Sequence, residues 1–164
     1  MDYTLPLFLA HAIALEREAA ERYLELADMM EAHRNDEVSA LFRDMVRYSW
    51  LHHDSIVERA RGVALPAIAA FQYRWRHPPE AGGDEAFDPA LNAWDALRYA
   101  RENECRAMNY YSEVGQSTSA AEVKRLAAEF AAEETEHVAA LDQWLARTPR
   151  PSTTWRDDPA APAA

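Results

Sequence analysis

Five residues of this chain have the types and placement of a metal-binding set: Glu16, His52, Glu104 and the pair Glu134-x-x-His137. Each interrupts a stripe that is otherwise apolar at the 3.6-residue helical period. In the first helical stretch the stripe reads Leu9, Ala12, Ile13, Glu16, Ala19, Ala20, Tyr23, Leu26, Ala27 and Met30. In the third it reads Leu97, Ala100, Glu104, Ala107, Met108, Tyr111 and Val114. In the fourth, Glu134 and His137 interrupt Val123, Leu126, Ala127, Phe130, Val138 and Leu141. Three residues apart, they are neighbours on one face. His52 does the same in the second stretch, after Val38, Leu41, Phe42, Met45 and Ser49. An isolated buried carboxylate costs several kcal/mol and protonates unless it is paired. No Lys or Arg stands on these four stripes to pair with them. A cation shared by the four helices accounts for the set. Bundles that hold carboxylate-bridged metal pairs use one Glu from each of two helices and a Glu-x-x-His from each of the other two.

The elements that must position these residues are four helices. The first is predicted from Thr4, a capping residue with Pro6 in the first turn, to Ala32. The turn HRND leads to a second over 37–61, with Gly62 as its C′ residue. Residues 63–88, rich in Pro and aromatics and carrying a Gly-Gly, read as a long crossover with room for a short helical piece. Asp88-Pro89 signals the start of the third helix, which runs to Val114. After the turn GQSTS, Ser119 and Glu122 form a capping box that opens the fourth, ending at Arg147. The expected fold class is all-α: a four-helix bundle over 1–147, made of two antiparallel hairpins joined by the crossover. The tail, 148–164, is expected to be disordered, with Trp155 as a docking point.

The two hairpins repeat. A shift of 88 residues lays Glu16 on Glu104 and Tyr23 on Tyr111. A shift of 85 lays Leu41 on Leu126, Met45 on Phe130, His52 on His137 and Ser49 on Glu134. A pseudo-twofold bundle requires such a repeat.

With LEREAAERY, ECRAMNYY, EFAAEETEH and LFRDMVRYSWLHH in this order and register, residues 5–147 resemble the ferritin-like superfamily, most closely its rubrerythrin-like di-iron proteins. The resemblance implies a ferritin-like four-helix bundle with Glu16, His52, Glu104, Glu134 and His137 as iron ligands. It implies oxidoreductase chemistry on peroxide or dioxygen, or iron oxidation and handling, an external electron-donor protein and a homodimer. An internal donor is not expected, since the chain lacks the Cys-rich rubredoxin-like domain of full-length rubrerythrins.

The family pattern has Glu at the position of Ser49, and a neutral hydroxyl cannot replace a bridging carboxylate. Three outcomes stay open. The site holds two irons, completed by water, hydroxide or a flanking residue such as His53 or Tyr48. It holds a single ion, with zinc or manganese as alternatives to iron. Or the bundle is empty. The last two belong with a second reading, a non-catalytic helical bundle with a degenerate or structural mononuclear site that serves as an interaction module. Tyr23 and Tyr111 are expected in the core, with hydroxyls able to reach a ligand carboxylate.

The bulk composition narrows the field. The 164 residues carry a formal net charge of −11, which disfavours nucleic acid and anionic membranes as partners. A single cysteine, Cys105, excludes an intrachain disulfide and fits a reducing cytoplasm, where it is read as a packing residue. The apolar run LPLFLAHAIAL lacks a basic start and a cleavage site, so it is read as helix rather than as a signal peptide. His11, His33 and His77 stand outside the set.

Overall fold

The computed structural model describes residues 3–69, 73 and 88–152. It contains four helices: α1 (Leu5–Ala32), α2 (Asp36–Arg59), α3 (Ala93–Ser117) and α4 (Ala121–Arg147). α1 packs along α2 and α3 along α4, and the hairpins meet through α2–α3 and α1–α4. This is the all-α four-helix bundle that the stripes predict. Residues 70–72, 74–87 and 153–164 lie outside the described residues. So do the calls that fall there: the short helical piece of the crossover, His77, most of the expected disordered tail, and Trp155. Among the described residues, no helix is long and apolar enough to cross a membrane.

Local chemistry sets the hairpin between α1 and α2. Arg34 takes the left-handed region at φ 63°. That lets Arg34 N donate to Glu31 O at 3.0 Å and Asn35 N to Met30 O at 2.8 Å, the two bonds of a Schellman stop. Asn35 then caps α2 by accepting from Val38 N at 3.4 Å, and its Nδ2 donates to Leu91 O at 2.7 Å. One side chain thereby ties the first turn to the entry of the second hairpin.

Several expected boundaries move. Thr4 holds the N-cap position of α1, but its side chain makes no capping bond. α2 ends at Arg59 with Ala60 as its C-cap, so Gly62, at φ 80°, lies one residue beyond the expected C′ place and turns the chain outward. Asp88-Pro89 does not begin α3. Asp88 closes a turn, its Oδ1 accepting from Ala90 N at 2.8 Å. The helix starts at Ala93, where Asn92 accepts from Asp95 N at 3.0 Å and its Nδ2 donates to Asp95 at 2.7 Å. This reciprocal pair satisfies the first-turn donor while burying Asp95, which Asp88 could not do from four residues upstream. Gly115, Gln116 and Ser117 remain helical, so α3 outlasts Val114 and the turn shrinks to 118–120. The N-cap of α4 is then Ala120, without a side-chain cap, in place of the Ser119–Glu122 box.

The core divides in two. One cluster joins Ala19, Tyr23 and Leu26 of α1, Phe42 and Met45 of α2, Leu97 and Ala100 of α3, and Leu141 of α4. The other joins Ala12 and Leu15, Ile56, Ala107 and Tyr111, and Phe130. In every helix the candidate ligands fall between the two clusters: Glu16 between Leu15 and Ala19, His52 between Met45 and Ile56, Glu104 between Ala100 and Ala107, and Glu134 between Phe130 and Leu141. The bundle therefore carries one polar layer at mid-height, with an apolar core above and below. The order of the clusters along each helix also shows that α2 ends where α3 does not begin. The end of α2 and the start of α3 therefore lie at opposite ends of the bundle, roughly 36 Å apart for a 24-residue helix.

Candidate metal centre

Glu16, Glu104 and Glu134 are 2%, 5% and 2% exposed. Among the described residues, their ion pairs are to imidazoles alone. His52 Nδ1 lies 3.7 Å from Glu16 and 3.9 Å from Glu134. His137 Nδ1 lies 3.2 Å from Glu104 and 3.0 Å from Glu134. The two rings stack with centroids 4.3 Å apart. Ligand atoms of His52, Glu134 and His137 lie within 4.8 Å of one another. Glu134 thus stands between two half-sets, Glu16 with His52 and Glu104 with His137. Outside the layer, Arg59 of α2 bonds Glu129 and Glu133 of α4 at 2.7 and 3.3 Å, which holds these two helices in register beside the site.

Burial dominates the electrostatics. It raises Glu16 well above the ordinary carboxylate value of 4.5, and the charge of Glu104 adds to the rise. Glu134 is raised for the same first reason, against a lowering hydrogen bond from His137. Burial opposes a charged His137, but the hydrogen bonds to Glu104 and Glu134 overcome it and hold the imidazole at about 10. His52 moves down, through burial and then the charge of His137. Without a cation, protons occupy this layer. A set of two imidazoles and three buried carboxylates is the donor chemistry of a transition-metal site, and metal would displace those protons.

A pH dependence follows for metal-stripped protein. The raised carboxyls keep protons in the fold that the unfolded chain releases above about 4.5, so their contribution falls as pH climbs from there. His137 stabilises the fold below its unfolded value of 6.5, and that stabilisation is lost as pH rises through about 10. Both signs agree. His52, lowered by burial, acts with the opposite sign below 6.5, so thermal unfolding in the presence of a chelator is expected to show a falling midpoint from pH 7 to pH 10; a rising one would contradict the protonated layer.

The other singled-out residues scatter. Ser49 is buried and lines a cavity beside the set. His53 turns away, with Nδ1 3.0 Å from Asp54 and its ring on the edge of Trp50. The Tyr23 hydroxyl accepts from Asn103 Nδ2 at 3.0 Å, and its ring stacks on Phe42. Tyr111 packs edge-on against Phe8 and Phe130. Cys105 is half-buried beside Arg101. His11 is buried, its Nδ1 2.8 Å from Leu7 O. Two features went unread in the sequence. Asn103, next to Glu104, is fully buried and bonds both Tyr23 and Arg106. A cavity of about 330 Å³ also opens between α2 and α4, reaching Trp144 and Arg147. The continuation of the α4 stripe past Leu141 to Trp144 was the available signal for the second.

No protein-family model and no curated protein matches the chain. Among solved structures, it is similar to the crystal structure of an uncharacterized conserved protein from Magnetospirillum magnetotacticum MS-1. The two are 57% identical over 93% of this chain and 100% of that one, with a TM-score of 0.69.

Proposed function

This chain belongs to the same family as that conserved Magnetospirillum protein, and we propose from its site that it is a rubrerythrin-like non-haem iron protein acting on peroxide or dioxygen. The observation that carries this reading is the place of Glu134, 3.9 Å from the His52 nitrogen and 3.0 Å from that of His137, each imidazole also facing its own glutamate. One carboxylate between two such half-sets suits two ions that share it. Two ferrous ions there would supply the two electrons that convert hydrogen peroxide, with two protons, into two waters, an external electron-donor protein restoring them. The chain's own residues bind and orient. Glu16 and Glu104 would each offer a carboxylate to the ions, and His52 and His137 neutral nitrogen donors. The cores close the layer above and below, and the cavity admits a small oxidant.

A second reading is favoured by Ser49: a non-catalytic bundle with a structural, mononuclear site, holding zinc or manganese as readily as iron, that serves as an interaction module. Metal content per chain, measured by mass spectrometry after anaerobic ferrous loading and desalting, tests the first. Two irons per chain, and peroxide consumed faster than by the same iron free in solution, are expected. One ion, or turnover no faster than free iron, selects the second reading. No retained metal sinks the first and leaves an empty, non-catalytic bundle.

A further inference from the structure

The internal repeat makes Ser49 the counterpart of Glu134, yet the two sides of the layer differ. Glu134 lies against both imidazoles. Ser49 is also buried, at 5% exposure, but it borders a cavity. The cavity of about 330 Å³ has Ser49, Glu16, His52, Glu104 and His137 at its inner end, and Glu134 is not part of its wall. It therefore opens on the side where the repeat lacks an acid. Further out its walls are Met45, Leu141 and Trp144, and Arg147 stands at the exposed end of α4.

We propose that this cavity binds a small monocarboxylic acid with an apolar body, its carboxylate inward beside Ser49 and its body along Met45, Leu141 and Trp144. The proposal rests on the metal reading above. Three carboxylates leave two divalent ions with net positive charge, and the shortfall lies at position 49. A ligand carboxylate supplies the missing charge and accepts from the Ser49 hydroxyl. A volume of about 330 Å³ is more than a carboxylate needs, and it falls in the range of sites that enclose small organic ligands. The polar inner end and apolar walls fix the direction. Arg147, exposed to solvent, draws the anion in without anchoring it.

The test uses zinc-loaded protein, which is redox-silent, titrated with acetate, butyrate and hexanoate by calorimetry, with zinc measured in the same samples. Affinity is expected to rise with chain length, by up to roughly fourfold per buried methylene. Chelator-treated protein, which lacks the positive charge of the ions, is expected to bind at least tenfold more weakly. Ser49→Glu should keep its zinc and lose the acids. Should that variant fail to fold, Met45→Trp serves instead: it fills the apolar wall and should abolish the gain from acetate to hexanoate. The proposal is overturned if zinc-loaded protein binds no acid, if butanol binds as well as butyrate, or if Ser49→Glu binds unchanged while Arg147→Ala does not bind. Those results leave the metal reading standing. Failure to retain zinc or iron removes both.

Discussion

Saturation with zinc or manganese is expected to raise the thermal midpoint of the chelator-stripped protein by roughly 5–10 °C. A ligand that binds only the folded state at about a hundred times its dissociation constant contributes about 2.7 kcal/mol. For a chain of this size each kcal/mol moves the midpoint by roughly 2–4 °C. The fold is prepared for that gain, because Glu16, Glu104 and Glu134 are already gathered and desolvated at mid-bundle. Magnesium, which prefers all-oxygen sites and keeps its waters, should do much less than a metal that accepts the two imidazoles. Scanning fluorimetry at fixed pH with each metal, against chelator, reads the difference. Equal midpoints with zinc and chelator would mean that the acidic layer serves some purpose other than holding a cation.

Replacing Glu16 with leucine is expected to move stability and metal affinity in opposite directions. Glu16 is buried and raised by that burial, and it pairs with His52 at 3.7 Å. Its neighbours along the helix, Leu15 and Ala19, belong to the two apolar clusters. A leucine of similar volume removes a desolvated carboxyl and joins those clusters. Stripped Glu16→Leu should therefore be more stable than the stripped parent by about 1–3 kcal/mol, as when buried ionic groups give way to packed apolar ones. Metal affinity should fall by roughly a hundredfold or more, since even outer-shell changes cost 10–100-fold. Denaturant unfolding with and without metal measures both. A stripped variant less stable than the parent would show that the Glu16–His52 contact supports the fold on its own.

The pairing of these two outcomes explains why the layer is polar. A bundle selected for stability alone would carry apolar residues at 16, 104 and 134, as it does one turn above and below. The chain instead keeps three carboxylates there, and the protonation of Glu16, Glu134 and His137 substitutes for a cation.

Much of the site was legible in the sequence because the helical period is local. Glu134 and His137 share a face wherever their helix goes. Glu16 stands out because its neighbours three and four residues away are all apolar, and Glu104 because it falls among Ala100, Ala107 and Met108. The repeat added Ser49 as the odd position. Boundaries were less legible, since Asp88-Pro89 and Asn92–Asp95 are both sound start signals and only the burial of Asp95 chooses between them. The Ser119–Glu122 box lost for a related reason, as α3 runs through Gly115 and shortens the turn.

The sequence by itself determined four amphipathic helices, their pairing through short turns, and a polar interruption in each buried stripe, two of them in the fourth, because helix periodicity and turn chemistry are set by residues a few positions apart. Only the tertiary structure decided that Glu134 lies between the two imidazoles, that His53 turns toward Asp54, and that a cavity opens beside Ser49 between α2 and α4. Those facts depend on how far apart two helices stand and how each is rotated about its own axis. Both follow from the packing of the cores on either side of the layer, to which residues far apart in the chain contribute.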